Sequence, residues 1–263
     1  MFKKIYNEAI ITYTLKTKSP LFIRSGKEEG LDPTKEDNTF ITVHKDGQVI
    51  PFMPGTSIKG VFRSRAEKLL PNSCNLFLRP CSNQNDMRNK NGTERYKLSC
   101  PACKMFGSTA LKSRVLFSDA YPVGKYFIGS RTSVAIERIS GAAKQGALFN
   151  MEYVEDAEFK GEIRLQNFFK WHIKTLVEVF KDINNGFVTF GGLTSKGFGR
   201  MEVKEFSIKL RYYNKGLSNN NYADKGFYIE REINSLDELD GLLRNIQLND
   251  NELRKGDLNE QAI

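Results

Sequence analysis

Residues 51–67 read PFMPGTSIKGVFRSRAE, and this stretch decides how the rest of the chain is parsed. An extended run, QVIPFMP, gives way near Thr56 to helical spacing. Ile58, Val61, Phe62, Ala66, Leu69 and Leu70 form one apolar stripe, while Lys59, Arg63, Arg65 and Lys68 mostly fall outside it. Thr56 or Ser57 is suited to act as N-cap.

Upstream, FITV and QVIPFMP flank Asp46-Gly47, a hairpin signal. Ahead of them, SGKEEGLDPTKEDN (25–38) is turn-rich and charged and reads as a mobile loop. Ala9, Ile11, Tyr13 and Leu15 alternate as in a half-buried strand. Downstream come a cysteine-bearing insertion, the strand VLFSDAYPV, and a Gly-, Ser-, Arg- and Lys-rich arm from Gly129 to Gly146. Strands follow near Phe149–Val154 and Phe159–Leu165, then a helix from Phe168 to Ile183. A glycine-dense turn, FGGLTSKGFGR (190–200), leads into the strand MEVKEFSIKL. The order strand, helix, strand, strand, helix, strand, with two insertions, predicts an α+β fold with a ferredoxin-like (RRM-like) core.

This reading gives a domain over 1–213 and an acidic C-terminal extension over 214–263. In the extension, Ser235 and Glu238 stand at capping-box spacing ahead of Leu239, Leu242, Leu243 and Ile246, which predicts a short helix near 235–247. Residues 215–222 read as a linker, and those after Asn249 as disordered.

Of 263 residues, 40% are hydrophobic and 27% charged, as in soluble globular proteins. No apolar run is long enough to span a bilayer, and the polar-interrupted start MFKKIYNEAIITYTLKTK reads as a strand and not as a secretion signal. A cytoplasmic protein without a membrane partner is expected. The net charge is +9, yet from Asn214 onward ten acidic residues face six basic ones, leaving +13 on the first 213. Such an excess fits a polyanionic partner.

All four cysteines lie in one segment, Cys74, Cys81, Cys100 and Cys103, spaced C-x6-C-x18-C-x2-C. Two intervening residues let Cys100 and Cys103 reach one tetrahedral ion, and Cys74 and Cys81 complete a closed structural Zn2+ set. Disulfides fit a cytoplasmic chain poorly, and a redox C-x-x-C pair leaves Cys74 and Cys81 unexplained. The residues between are too polar to build a core of their own. His44 and His172 form no base–nucleophile pair in the sequence.

Several segments together resemble the RAMP superfamily, and within it the Cas seven backbone subunits of CRISPR type III effector complexes. PFMPGTSIKGVFRSRAE is similar to that family's PGSSLKG signature, and CPACKMFGS followed by RVLFSDAYP to what comes after it. VAIERISGAAKQGALFNMEYV resembles the family's arm, or thumb, and FGGLTSKGFGRMEV its glycine-rich loop. The matches keep the family's order over about residues 9–210, and the cysteine insertion resembles the III-D/III-E branch.

The resemblance implies a zinc insertion at about 71–107, a thumb at about 122–150 and a glycine-rich loop at 191–200. It implies a ribonucleoprotein of antiviral defence, in which each backbone subunit grips guide RNA (crRNA), target RNA pairs with the guide, and other effector subunits are neighbours. The expected RNA contacts are Ser57 and Lys59 at the helix N-terminus, Arg63 and Arg65 on the helix, and Arg131, Arg138 and Lys144 on the thumb. Gly192, Lys196 and Arg200 complete the set, the glycines letting backbone amides approach phosphates. In the family an aspartate in the loop before the signature promotes target cleavage with a divalent metal, Mg2+ or Mn2+. Asp37, in Asp37-Asn38-Thr39-Phe40-Ile41, is the first candidate and Asp32 the second. Two alternatives stay open: a non-catalytic structural and RNA-binding subunit, and a guide-RNA-processing endonuclease.

Overall fold

Ala9, Ile11, Tyr13 and Leu15 become the buried side of β1 (Asn7–Thr17), the central strand of the molecule. The computed structural model describes residues 4–26, 38–75, 77–83, 87–214, 216, 221–249, 253 and 263. In chain order, β2 (Thr42–Lys45) and β3 (Gln48–Pro51) form a hairpin closed by Asp46 and Gly47, both at positive φ. Such a turn follows the natural twist of paired strands. Helix α1 (Gly55–Leu69) follows, then two short helices in the insertion, α2 (Gly92–Leu98) and α3 (Pro101–Phe106). β4 (Val115–Phe117) and β5 (Tyr121–Pro122) precede a long hairpin, β6 (Phe127–Ile136) with β7 (Ala143–Glu155). β8 (Glu158–Gln166), α4 (Lys170–Asn184) and β9 (Met201–Tyr212) complete the core, and β10 (Ala223–Asp224), β11 (Ile229–Ile233) and α5 (Leu236–Leu242) follow. Of the residues after Asn249, read as disordered, Leu253 and Ile263 are described, and both pack on the core.

The main sheet runs β10-β11-β9-β1-β8-β4, with β5 also on β8, and every pairing is antiparallel. The fold is therefore α+β around a large antiparallel sheet. α1 and α4 pack against the face carrying Ile11 and Tyr13. An aromatic seam joins the layers: Phe180 of α4 meets Phe62 of α1 at 5.1 Å, Tyr13 at 5.5 Å and Phe206 of β9 at 5.4 Å between ring centroids. Such tilted and edge-on contacts add to plain area burial. Tyr13 fits because Gly161 faces it, where a Cβ would lie 2.5 Å from the phenol oxygen.

The segment read as one strand, VLFSDAYPV, is broken. The edge chain advances four residues from Phe117 to Tyr121 while β8 advances three, from Ile163 to Lys160. The extra residue bends the edge, as bulges do, and brings the Asp119 carboxylate to α1, where Oδ1 accepts the Gly55 N–H at 2.7 Å. The expected cap at Thr56 or Ser57 is thereby corrected: Pro54 is the N-cap and makes no side-chain cap bond. The α2 and α3 helices were also not read from the sequence. Their signal was present, since Asn91 and Glu94 form a reciprocal capping box and Cys100 caps α3 ahead of Pro101.

The C-terminal segment joins the same sheet through β11 on β9, and Leu239 and Leu243 enter the main core. Helix α5 starts at the expected place, with Ser235 Oγ accepting the Glu238 N–H, but ends at Leu242, shorter than the 235–247 reading. Gly241 in its last turn is a poor helix former. Lys174 and Lys181 of α4 both bond Asp240, at 2.7 and 3.0 Å, and tie α5 down.

Gly55 packs its Cα against β4, where a Cβ would meet the Phe117 carbonyl oxygen at 2.7 Å, whereas Gly60 faces open space. Gly55→Ala is expected to destabilise the protein by about 1–3 kcal/mol and Asp119→Ala by about 1 kcal/mol. Gly60→Ala is expected to be neutral or stabilising. Denaturant midpoints check this, and equal effects at the two glycines would contradict the packing described.

Candidate metal centre and nucleic-acid interface

The four cysteine sulfurs lie within 4.8 Å of one another, although the residues span 30 positions in the chain. Cys74 follows α1, Cys81 opens a short 3-10 turn, and Cys100 and Cys103 sit at the start of α3. Cys74 Sγ and Cys103 Sγ are 3.6 Å apart. Tetrahedral coordination at about 2.3 Å per sulfur would separate ligand atoms by about 3.8 Å, so the array fits. Backbone N–H groups of Cys100 and Cys103 donate to Cys81 Sγ and Cys100 Sγ at 3.2 and 3.4 Å, which favours thiolates.

Without a cation the four cannot all ionise. The hydrogen bond from Cys103 and those from nearby amides outweigh burial at Cys100 and bring its pKa down to about 4. Burial pushes Cys81 up to about 12, and the sharing of a proton with Cys100, together with burial, drives Cys103 well up. A divalent ion resolves the conflict by stabilising every thiolate at once. The cluster could hold a metal such as zinc, and four sulfurs leave no open coordination position.

Arg63 connects this cluster to the core. Its Nε donates to Glu67 at 2.8 Å, Nη1 to the Gly107 carbonyl at 3.0 Å, and Nη2 points to Cys103 Sγ at 3.5 Å. Burial works against its charge, but Glu67 and Cys103 outweigh that and hold its pKa above the usual arginine value. Arg65, the other helix arginine, bonds Asp182 of α4 at 2.7 Å and lies 5.8 Å from the Phe187 ring. Both arginines read from the sequence as RNA contacts thus already hold elements of the chain together.

Ser57 and Lys59 are half-buried near the start of α1, whose first amide is occupied by Asp119. The Lys59 pKa is lowered, first by burial and then by Arg63. The anion site expected there is therefore partly filled by the chain's own carboxylate.

The glycine-rich turn closes on backbone. The Gly192 N–H donates to Phe22 O and the Gly199 N–H to Pro20 O, each at 2.8 Å. A Cβ at Gly191 would lie 2.1 Å from Phe22 O, and one at Gly199 would lie 1.9 Å from Phe190 O. These glycines serve close packing of the turn, and the amides of Gly192 and Gly199 are not open to phosphates as the sequence implied. What the turn offers outward is side chains, with Lys196 and Arg200 exposed.

The turn meets the β6–β7 hairpin at its base. Arg131 lies over the rings of Phe198, at 4.9 Å, and Tyr153, at 5.5 Å. Farther out the hairpin is exposed, with Arg138 and Lys144 near its tip beside Ile136, Ile139 and Leu148. Ile139 is 97% exposed. Phe198 and Tyr153 were missed in the sequence because nothing in their spacing marks them as a platform.

Asp32 and Asp37 lie outside the described residues. The chain on either side of them is held together: the Ser25 N–H donates to Thr39 O at 3.0 Å, and Arg24 bridges Phe40. Asn38 joins the hairpin, its N–H donating to Asn150 O and its carbonyl accepting from Glu152 N. His44 is exposed on β2, while His172 is buried, its Nδ1 accepting the Phe169 N–H at 3.0 Å. Burial, with Arg114 and Lys104 nearby, lowers the His172 pKa well below its usual value, which suits a neutral core group.

A family profile described as the RAMP superfamily matches residues 14–202. Among solved structures, a chain in "Cryo-EM structure of the Type III-B Cmr-beta bound to cognate target RNA" superposes with a TM-score of 0.52 at 15% identity. The alignment covers 77% of this chain and 61% of that one, so this chain spans about three fifths of that chain's length. At this identity the likeness is one of fold. No curated protein sequence matches.

The reduced full-length chain is expected to take up one Co2+ per molecule, with the strong thiolate-to-metal absorption of a four-sulfur site. Arg63→Gln is expected to weaken that binding by about 10–100-fold, the usual effect of losing a group that supports a ligand. Competition with a chromophoric chelator measures it. Uptake unchanged by Cys100→Ser would contradict a single four-sulfur site.

Proposed function

The chain belongs to the RAMP superfamily, and on that premise we propose that it is a guide-RNA-binding backbone subunit of a CRISPR type III effector complex. The observation that carries this reading is the convergence at one place of the glycine-rich turn, the exposed hairpin and the two ends of the acidic loop. Exposed Lys196 and Arg200 stand on the turn, and Arg138 and Lys144 on the hairpin. Exposed cations of this kind meet a nucleic-acid backbone through shape and charge, while base pairing between guide and target reads sequence. The apolar tip at Ile136 and Ile139 would sit between stacked segments as a thumb. Arg131 would brace that thumb from its base and would touch RNA less directly.

The sheet order supports a ferredoxin-like core. β9, β1, β8 and β4 lie side by side and are the fourth, first, third and second core strands in chain order. On this reading the RAMP domain covers 1–213, with the insertion at about 71–107, the thumb at about 122–150, and an extension over 214–263. The cysteine cluster holds a structural Zn2+, which favours the III-D/III-E branch. Guide RNA, target RNA and sister subunits are the partners, in the cytoplasm.

We assign target cleavage to the loop ahead of the signature, with Asp37 first and Asp32 second. The target's 2′-hydroxyl attacks the adjacent phosphorus and the 5′-oxygen leaves, giving a 2′,3′-cyclic phosphate and a 5′-hydroxyl. Displacing one nucleotide at the thumb aligns attacking and leaving oxygens, which is where much of the rate would arise. The carboxylate would orient the hydroxyl or hold Mg2+ or Mn2+, whose charge would offset that developing on the phosphate.

Asp37→Ala in the assembled effector is expected to slow cleavage at this subunit's position at least about 100-fold while leaving target affinity within about twofold. Asp32→Ala is expected to have the smaller effect. Single-turnover cleavage of end-labelled target checks this. If neither substitution slows cleavage, the subunit is a non-catalytic RNA-binding one. Cutting of isolated repeat RNA by the purified chain would instead favour a guide-processing endonuclease.

A further inference from the structure

The insertion carries a surface feature that the fold does not use. Phe77 is 97% exposed and Leu78 80% exposed, on the short loop between Cys74 and Cys81. A phenylalanine side chain left in water forgoes the gain of burial, so this ring contributes little to the core. Its backbone is nonetheless hydrogen-bonded. Asn75 Oδ1 accepts the N–H groups of Phe77 and Leu78 at 2.9 and 3.0 Å, and the Arg79 N–H donates to Asn75 O at 3.0 Å. Both ends of the loop are anchored by cysteines of the cluster.

Charge says what such a ring would meet. Between Pro71 and Lys112 the sequence has seven basic residues and two acidic ones, a net of +5 out of +9 for the whole chain. Four thiolates around a divalent ion subtract about two charges, and Arg63 lies against them. Arg79, Lys97 and Lys112 are exposed, and the Lys104 ammonium lies 5.4 Å from the Tyr96 ring centroid. An exposed aromatic ring on an insertion of net positive charge is the pairing that single-stranded nucleic acids select, because bases stack on the ring while phosphates meet the cations. A purely apolar protein partner would gain nothing from that charge.

We propose that the cysteine-bearing insertion is a second RNA contact, separate from the hairpin and the glycine-rich turn, in which Phe77 stacks on a base of unpaired single-stranded RNA. This rests on the reading of the chain as an RNA-binding subunit. It also gives the metal centre a second purpose, which is to present the Phe77 loop in a fixed shape.

The test uses the metal-loaded full-length chain and a fluorescein-labelled single-stranded RNA of about 15 nucleotides, within the range such sites cover. Phe77→Ala is expected to weaken binding about tenfold or more, with an unchanged melting temperature because the ring is exposed. Phe77→Trp is expected to retain affinity and to lose emission as RNA is added, since the native Trp171 is buried and adds a constant background. Arg138→Ala with Lys144→Ala serves as the control for the hairpin. If Phe77→Ala binds as tightly as the unaltered chain and the emission of the Phe77→Trp variant is unmoved, while the hairpin variant is weakened, the insertion contact is wrong and the RNA-binding reading stands. That result would instead make the Phe77 surface a protein-docking face. If the unaltered chain does not bind RNA at all, both fall together.

Discussion

One short extended segment, Pro20 to Arg24, is gripped from both sides, and the arrangement around it depends on that grip. On one side its carbonyls at Pro20 and Phe22 accept the amides of Gly199 and Gly192. On the other, Leu21 exchanges both of its backbone hydrogen bonds with Val154 of β7. The glycine-rich turn and the long hairpin are thereby fixed relative to each other through backbone contacts. No side chain larger than hydrogen fits at Gly191 or Gly199 without striking a carbonyl, so their φ values of 76° and 80° and the absence of a Cβ act together. Arg131, lying over Phe198, adds a side-chain brace to the same joint.

The cysteine cluster performs a comparable task at the other insertion. The residues between Cys74 and Cys100 have few apolar side chains, and the small core there is Cys81, Met87 and Cys103. Such a segment cannot hold itself by burial. Arg63 links it to α1 through Glu67, Gly107 and Cys103, so the signature helix is tied to the cluster on one face while Phe62 enters the aromatic seam on another. Both projecting parts are thus joined to the same two-layer core.

Much of this was legible in the sequence where one local period dominates. The alternation at Ala9 to Leu15, the Asp46-Gly47 turn and the apolar face of α4 appear where the pattern placed them. The four cysteines could be grouped because no other thiols compete. What was not legible depends on contacts far apart in the chain. Asp119 caps a helix 64 residues upstream, and Arg63 reaches Cys103 across 40 residues. For the same reason Arg63 and Arg65, which look like free cations on a helical wheel, carry structural contacts. The glycines looked like phosphate cradles because their composition is the same whether the amides face a ligand or a neighbouring carbonyl. The candidate catalytic aspartates fall outside the described residues, so the structure bears on them only through the anchored ends at Ser25 and Asn38.

We propose that the hairpin and the turn together form the principal RNA surface. Ultraviolet crosslinking of the full-length chain to guide RNA, with the crosslinked peptides identified by mass spectrometry, tests it most directly. Crosslinks are expected in peptides from the hairpin, Phe127 to Glu155, and from the turn, Phe190 to Arg200. Crosslinks confined to the main sheet, or none at all, would contradict it.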